Sequence, residues 1–486
     1  MSSSTILLIL CIYFGVLLLI AWYTSRGSNN ESFFIGNRKS HWFLVAFGMI
    51  GTSISGVTFI SIPGQVGTAQ FAYMQVALGY LAGYFIIAYV LMPLYYRHNL
   101  VSIYSYLGTR LGKTSHYTGA GIFLASRLVG SCLRLLLVAR VLQQFVFEDL
   151  GIDFQFSLIF SMLLIWFYTN RGGVKTIVIT DTIQTAFLVG ALILTLISIA
   201  SHMNLGVGDM ITTVSDSAYS QAFFFDDWLA KNHFVKQFLG GMFICLAMTG
   251  LDQDLMQKNL SCKNIKEAQK NMVVFSLIIL VVNFLFVTLG ALLYIYANKE
   301  GVTYTGHPDS FYPTLAVGGH FSSLAALFFV LGITAAAFAS GDSAITSLTT
   351  SVCIDFLDIE KKEKAKQERI RKITHIITCV VAYVTIVILH YTTTEDAISV
   401  ILFAATITYG PLIGLFFFGI LTKRQTTEWA VPVISIVVPY FCFELSRHSA
   451  DWLGGYVFSW ELLGLNGLLV FALLWITGKK QVQPAL

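Results

Sequence analysis

The stretches GTSISGVTF (Gly51–Phe59) and GGMFICLAMTGLDQD (Gly240–Asp254) decide the fold. Each interrupts an apolar run long enough to cross a membrane, and does so with glycines and hydroxyls where aliphatic residues would carry a helix on. Backbone that leaves a helix at membrane depth is stable only where it lines a cavity or meets an ion, because no water is present to satisfy the freed N–H and C=O groups. The two interruptions fall five spans apart. An odd number of helices per repeat inverts the second copy, so the pair predicts inverted five-helix repeats with a binding site at their interface. Close packing of helices around small residues is the other use of such glycines and serines.

The composition agrees. Of 486 residues, 56% are hydrophobic and only 12% charged, with a mean hydropathy of +0.73; soluble domains are about a quarter charged. Thirteen apolar stretches recur, at 4–26, 41–67, 72–96, 117–147, 153–170, 174–200, 235–257, 270–298, 321–355, 372–392, 396–421, 429–446 and 461–477. The predicted fold class is an all-α integral membrane protein of about 13 transmembrane helices, its core two inverted repeats with broken first helices. One transmembrane domain fills 1–486: an extra N-terminal helix and loop (1–40), the first repeat (41–200), the second (235–421) and C-terminal helices (422–486).

Cytoplasmic loops retain lysine and arginine. Alternate loops carry 23 of the 30 basic residues, among them Arg26, Arg97, Lys175, Lys258, the run KKEKAKQERIRK (361–372) and Lys479. The opposite loops hold acids such as Glu148, Asp226 and Glu395. The alternation predicts an outside N-terminus and an inside C-terminus in the cytoplasmic membrane. The first helix lacks a basic leader and a small-residue cleavage site, so it is expected to stay as a span. Seven scattered cysteines with no CxxC pair read as apolar filler. Nothing here predicts a nucleic-acid partner.

Span 9 carries AAAFASGDSAITSLTTS (Ala335–Ser351), unusually polar and small for its depth. Ser343, Thr346, Ser347 and Thr350 are spaced i, i+3, i+4, i+7 and share one face. At 1.5 Å per residue, Thr346 and Ser347 lie roughly 12–14 Å from the inner end of their span, and Asp181 on span 6 lies about 10 Å from the same surface. A carboxylate at that depth costs several kcal/mol unless paired, which makes Asp181 a functional candidate. Hydroxyl and carboxylate oxygens converging in a dry site suit a hard alkali cation, and the lack of thiolates and imidazoles there argues against a transition metal. The alternative is that these hydroxyls bond back to carbonyls one turn earlier.

Four separated motifs then carry a resemblance. ESFFIGNRKS (31–40), LVSIYSYLGTRLG (100–112), YTNRGGVKTIVITDTIQ (168–184) and LDQDLMQKNLSCKN (251–264) together resemble the sodium/solute symporter family, which includes sodium/glucose, proline and sialic acid transporters. The resemblance implies alternating access and sodium-driven uptake of a solute, with Na+ as coupling ion and no other cofactor. It implies one sodium site from carbonyls at Gly51, Ile54 and Ser340 with hydroxyls at Ser343 and at 344, where this chain has Ala344 and so lacks a ligand. Asp342 departs from the family; it supplies a compensating carboxylate, responds to protons, or bonds a partner helix. A second sodium site falls on Asp181, Ser343, Thr346 and Ser347.

The solute is expected beside the break in span 2, at Ser53, Ser55 and Thr58, with Tyr73 and Gln75 on span 3 facing the same cavity. On span 4, Arg127 and Arg134 are i, i+7 and share a face. An arginine near mid-membrane must find an anion. That anion is either a substrate carboxylate or an internal acid such as Asp342, with Arg127 a strut. The expected function is sodium symport of a small polar solute, with an anionic sugar or carboxylate favoured over a neutral sugar. A transporter-like sensor acting through a partner is the alternative, and with no HExxH or nucleophile–base set, an enzyme is not expected.

Overall fold

In the computed structural model, residues 3–26, 28–302, 304, 306–392 and 404–479 are described, and among them helices account for all regular structure beyond two isolated bridges. The membrane helices are α1 (Ser3–Thr24), α2 (Trp42–Ser53), α3 (Gly56–Ala69), α4 (Tyr73–Arg97), α5 (Lys113–Leu142), α6 (Phe154–Gly172), α7 (Val174–Met203), α8 (Phe234–Gly250), α9 (Gln253–Leu260), α10 (Ile265–Lys299), α11 (Ser323–Phe356), α12 (Lys364–Thr392), α13 (Gly410–Leu421), α14 (Ala430–Trp452) and α15 (Leu462–Thr477). Each apolar stretch in the sequence coincides with a helix or a bent pair; the 393–403 part of the eleventh lies outside the described residues.

Both breaks fall where the glycine clusters stand. Helices α2 and α3 meet at 57°, and α8 and α9 at 63°. They open two inverted five-helix repeats, α2/α3 to α7 and α8/α9 to α13. At the first break Ile54 (φ −82°, ψ 75°) and Ser55 (φ −62°, ψ 166°) leave the helix. Glycine is needed on both flanks by close approach: a Cβ on Gly51 would sit 2.4 Å from Thr185 Oγ1, and one on Gly56 2.2 Å from a Val138 methyl. At the second break the freed carbonyls find donors in the protein. The Tyr95 and Tyr104 hydroxyls donate to the Gly250 and Leu251 carbonyls, each at 2.8 Å, and Asp252 caps α9 by accepting from the Asp254 N–H.

Helix α11 runs through the centre, buried almost continuously from Phe329 to Ser351. Its small residues let α7 and α5 close on it along their length. Aliphatic faces turn outward elsewhere, as on α12 with Ile373, Ile377, Val380, Val384 and Ile388. One sequence expectation fails here. Lys258 belongs to the inward basic loops by position, yet it is 2% exposed, because α9 turns back into the protein and carries the lysine to α7.

Candidate ion and solute site

Helices α2 and α9 meet α7 at Asp181, and α11 packs along α7 and α2. The Lys258 ammonium donates to its Oδ2 at 2.5 Å and the Thr52 hydroxyl donates to the same oxygen at 3.0 Å. The carboxylate is therefore neutralised by a lysine that the sequence reading assigned to a loop. Its other oxygen, Oδ1, is buried and accepts nothing among the described residues.

On the facing helix, the Ser343 and Thr346 hydroxyls are likewise buried with no hydrogen-bond partner. Each orphaned polar group costs about 1–3 kcal/mol if nothing satisfies it. Ser347 behaves differently: its hydroxyl donates back to the Ala344 carbonyl at 2.9 Å, as does Ser340 to Ala336 at 2.8 Å. Thr350 donates to the Thr346 carbonyl and accepts from Gln257. Back-bonding thus claims Ser340, Ser347 and Thr350 and spares Ser343 and Thr346.

The first break also leaves oxygens open. Gly51 donates its N–H to Thr185 Oγ1 at 3.0 Å, whereas neither the Gly51 nor the Ile54 carbonyl accepts a hydrogen bond among the described residues. These carbonyls, the Ser343 and Thr346 hydroxyls and Asp181 Oδ1 are open oxygens of the kind an alkali cation takes, and they stand on α2, α11 and α7, which pack on one another. Ala344 adds no side-chain oxygen. Asp342 is wholly buried next to Ser343 and within electrostatic range of Tyr13 on α1. Gln184, one turn beyond Asp181, is buried beside the Tyr13 hydroxyl, with neither amide atom in a hydrogen bond of ordinary geometry among the described residues. The sequence reading passed over it, although it ends the TDTIQ motif.

A cavity of about 90 Å³ opens beside the first break, lined by Ser53, Ser55, Thr58, Tyr73, Arg127 and Arg134 among others. The structure brings together six of the seven residues expected there. Gln75 is the exception: its amide donates to the Asn232 carbonyl at 2.9 Å and accepts from the Phe224 N–H at 3.1 Å, so it ties down the 204–233 segment instead.

The two arginines divide their roles. Arg127 is paired with Asp254, and its other terminal nitrogen lies 3.6 Å from Asp252, which also accepts from the Tyr409 hydroxyl at 2.6 Å. The internal acids are therefore these two on the second broken span, not Asp342. Arg134 makes no ion pair among the described residues and faces the cavity. Both acids stand in the LDQD segment, so the partners were in view in the sequence; what was missing was that α9 bends inward.

With this geometry in hand, the similarities to known proteins can be set beside it. A sequence model described as "Sodium:solute symporter family" matches residues 33–434. The chain is 23% identical over 462 residues to the sodium/sialic acid symporter SiaT of Proteus mirabilis (strain HI4320), covering 90% of this chain and 88% of that one. It is 24% identical over 256 residues to the human sodium-coupled monocarboxylate transporter 2, covering 52% of this chain and 41% of that one. A solved Na+-coupled sialic acid symporter, substrate-bound and outward-open, superposes with a TM-score of 0.84 at 19% identity over 99% of both chains. The nucleobase-cation-symport-1 family transporter Mhp1 gives 0.56 at 13% identity, over 93% of this chain and 94% of that one.

Proposed function

The chain belongs to the sodium:solute symporter family, and from that premise we propose that it imports a small solute bearing a carboxylate. One observation carries the choice of solute. Of two deep arginines on one face of α5, Arg127 is ion-paired with Asp254 and lies 3.6 Å from Asp252, while Arg134, within electrostatic range of that same Asp252, lines the cavity without an ion pair among the described residues. A guanidinium at that depth needs an anion, and a bound carboxylate accepting two parallel hydrogen bonds meets the need. The hydroxyls of Ser53, Ser55 and Thr58 then take the polar remainder of the solute.

Sodium is assigned to the open oxygens described above. One ion takes Asp181 Oδ1 with Ser343 and Thr346; the other takes the Gly51 and Ile54 carbonyls with Ser343, short of the ligand that Ala344 cannot give. Ser340, Ser347 and Asp342 supply backbone or flanking polarity to these positions. The lysine and arginine bias supports a cytoplasmic membrane location with the N-terminus outside and the C-terminus inside.

Stoichiometry has a readable consequence. A tenfold sodium gradient supplies about 1.4 kcal/mol per ion, and 100 mV supplies about 2.3 kcal/mol per net charge moved. A monovalent carboxylate with one sodium crosses without net charge and gains only about tenfold accumulation; with two sodiums it also draws on the potential and gains several thousandfold. The test is counterflow and sodium-driven uptake in proteoliposomes over a panel of sugar acids, short carboxylates and uncharged sugars. Sodium-dependent uptake of a carboxylate that Arg134→Gln abolishes is expected. Uptake of uncharged sugars, unaffected by that substitution, overturns the reading.

A further inference from the structure

Asn283 stands on α10, 18 residues beyond Ile265, and so about 27 Å along the helix from its inner end. It is 3% exposed, an amide set within the apolar run VVNFLF (281–286). Placing an amide in that setting without a hydrogen bond costs about 1–3 kcal/mol. Several other deep amides here are used. Gln75 and Gln257 each bridge two elements, and Asn466 on α15 donates to carbonyls of 406 and 407. Asn283 has no such partner among the described residues, and it lines the solute cavity.

It shares that cavity with Arg134, the two standing on helices that both pack on α3. Helix α5 meets α3 where Gly56 presses on Val138, and α10 meets α3 elsewhere, where Gly290 presses on Pro63 and Val66. Ile279, one turn before Asn283 on α10, lines the same cavity. Among the cavity-lining residues Asn283 is the one amide, able both to donate and to accept.

Resting on the carboxylate reading, we propose that Asn283 sets solute specificity. Its amide bonds a second polar group of the solute, a hydroxyl, carbonyl or acylamino oxygen, while Arg134 holds the carboxylate. The solute class is then a substituted carboxylate, and the unsubstituted acid of the same carbon skeleton is a poor one because it leaves the Asn283 amide unpaired.

The experiment compares hydroxy or sugar acids with their deoxy analogues as inhibitors of sodium-driven carboxylate uptake in proteoliposomes, for the wild-type chain and for Asn283→Leu. Wild type is expected to prefer the oxygenated acid by about tenfold, the worth of one buried hydrogen bond made or left unmade. Asn283→Leu should bring the two acids within about twofold, by weakening the oxygenated one only, with the sodium activation curve unmoved. Asn283→Ser, smaller and still polar, serves if the leucine variant does not insert. Equal affinities in wild type, or an equal loss for both acids in either variant, overturns the proposal while carboxylate transport stands. No sodium-driven uptake of any carboxylate by wild type instead removes the reading beneath it, and this assignment with it.

Discussion

Replacing Lys258 by methionine separates a tethered cation from a mobile one. The lysine nitrogen lies 2.5 Å from Asp181 Oδ2, and the opposite oxygen of that carboxylate is the one left open. A sodium on Oδ1 would be about 5 Å from the ammonium, where two unit charges repel by about 3 kcal/mol at an effective dielectric near 20. Loss of the lysine charge therefore tightens sodium binding by about two orders of magnitude. Without sodium, the same variant leaves a buried carboxylate with no counter-charge, a loss of about 3–5 kcal/mol. Both effects appear in one assay, thermal unfolding of the purified protein titrated with NaCl against choline chloride at constant ionic strength. The variant should start below wild type and recover with sodium; a hundredfold gain in affinity is worth about 2.7 kcal/mol of extra stabilisation. A sodium response equal to or weaker than that of wild type would refute the reasoning, because it would mean that no cation shares the carboxylate with Lys258.

Three further outcomes follow from the same contacts. Asp181→Ala abolishes sodium stimulation of uptake, read by isotope flux in proteoliposomes; normal stimulation discards the assignment of that carboxylate. Arg127→Met loses about 3–5 kcal/mol of stability because Asp254 stays buried without its cation, whereas Arg134→Met, which breaks no ion pair among the described residues, unfolds near the wild-type temperature. Gln75→Ala releases the tie to Asn232 and Phe224 and raises proteolysis of the 204–233 segment, with the solute KM within about twofold of wild type.

The sequence exposed the membrane helices because a span is a long local signal, and it exposed both breaks because glycine next to hydroxyl residues is conspicuous in an apolar run. It exposed Ser343, Thr346 and Asp181 as polar residues at matching depth. What it hid were pairings between distant elements. Nothing local says that Lys258 turns inward, since the turn is made at Leu251 and Asp252 and the lysine follows a span like any inner-loop residue. The split between Arg127 and Arg134 was hidden for the same reason, because the acids that ion-pair with one and not the other sit on that bent segment. Gln75 misled because it is close to Tyr73 in sequence, yet two residues turn it to the opposite side of α4, toward a loop about 150 residues away in the chain. Asn283 gave a signal that went unread: an amide inside an apolar span always calls for a partner.

The central claim is that oxygens from α7 and α11 hold a dehydrated sodium, and the most direct measurement is the sodium activation curve of uptake by the Ser343→Ala, Thr346→Val double variant. Neither hydroxyl bonds any protein group among the described residues, so their removal breaks no contact of the fold. The account predicts a half-activating sodium concentration raised at least about tenfold, one lost polar ligand being worth about 1 kcal/mol or more. An activation curve that overlays that of wild type would contradict it.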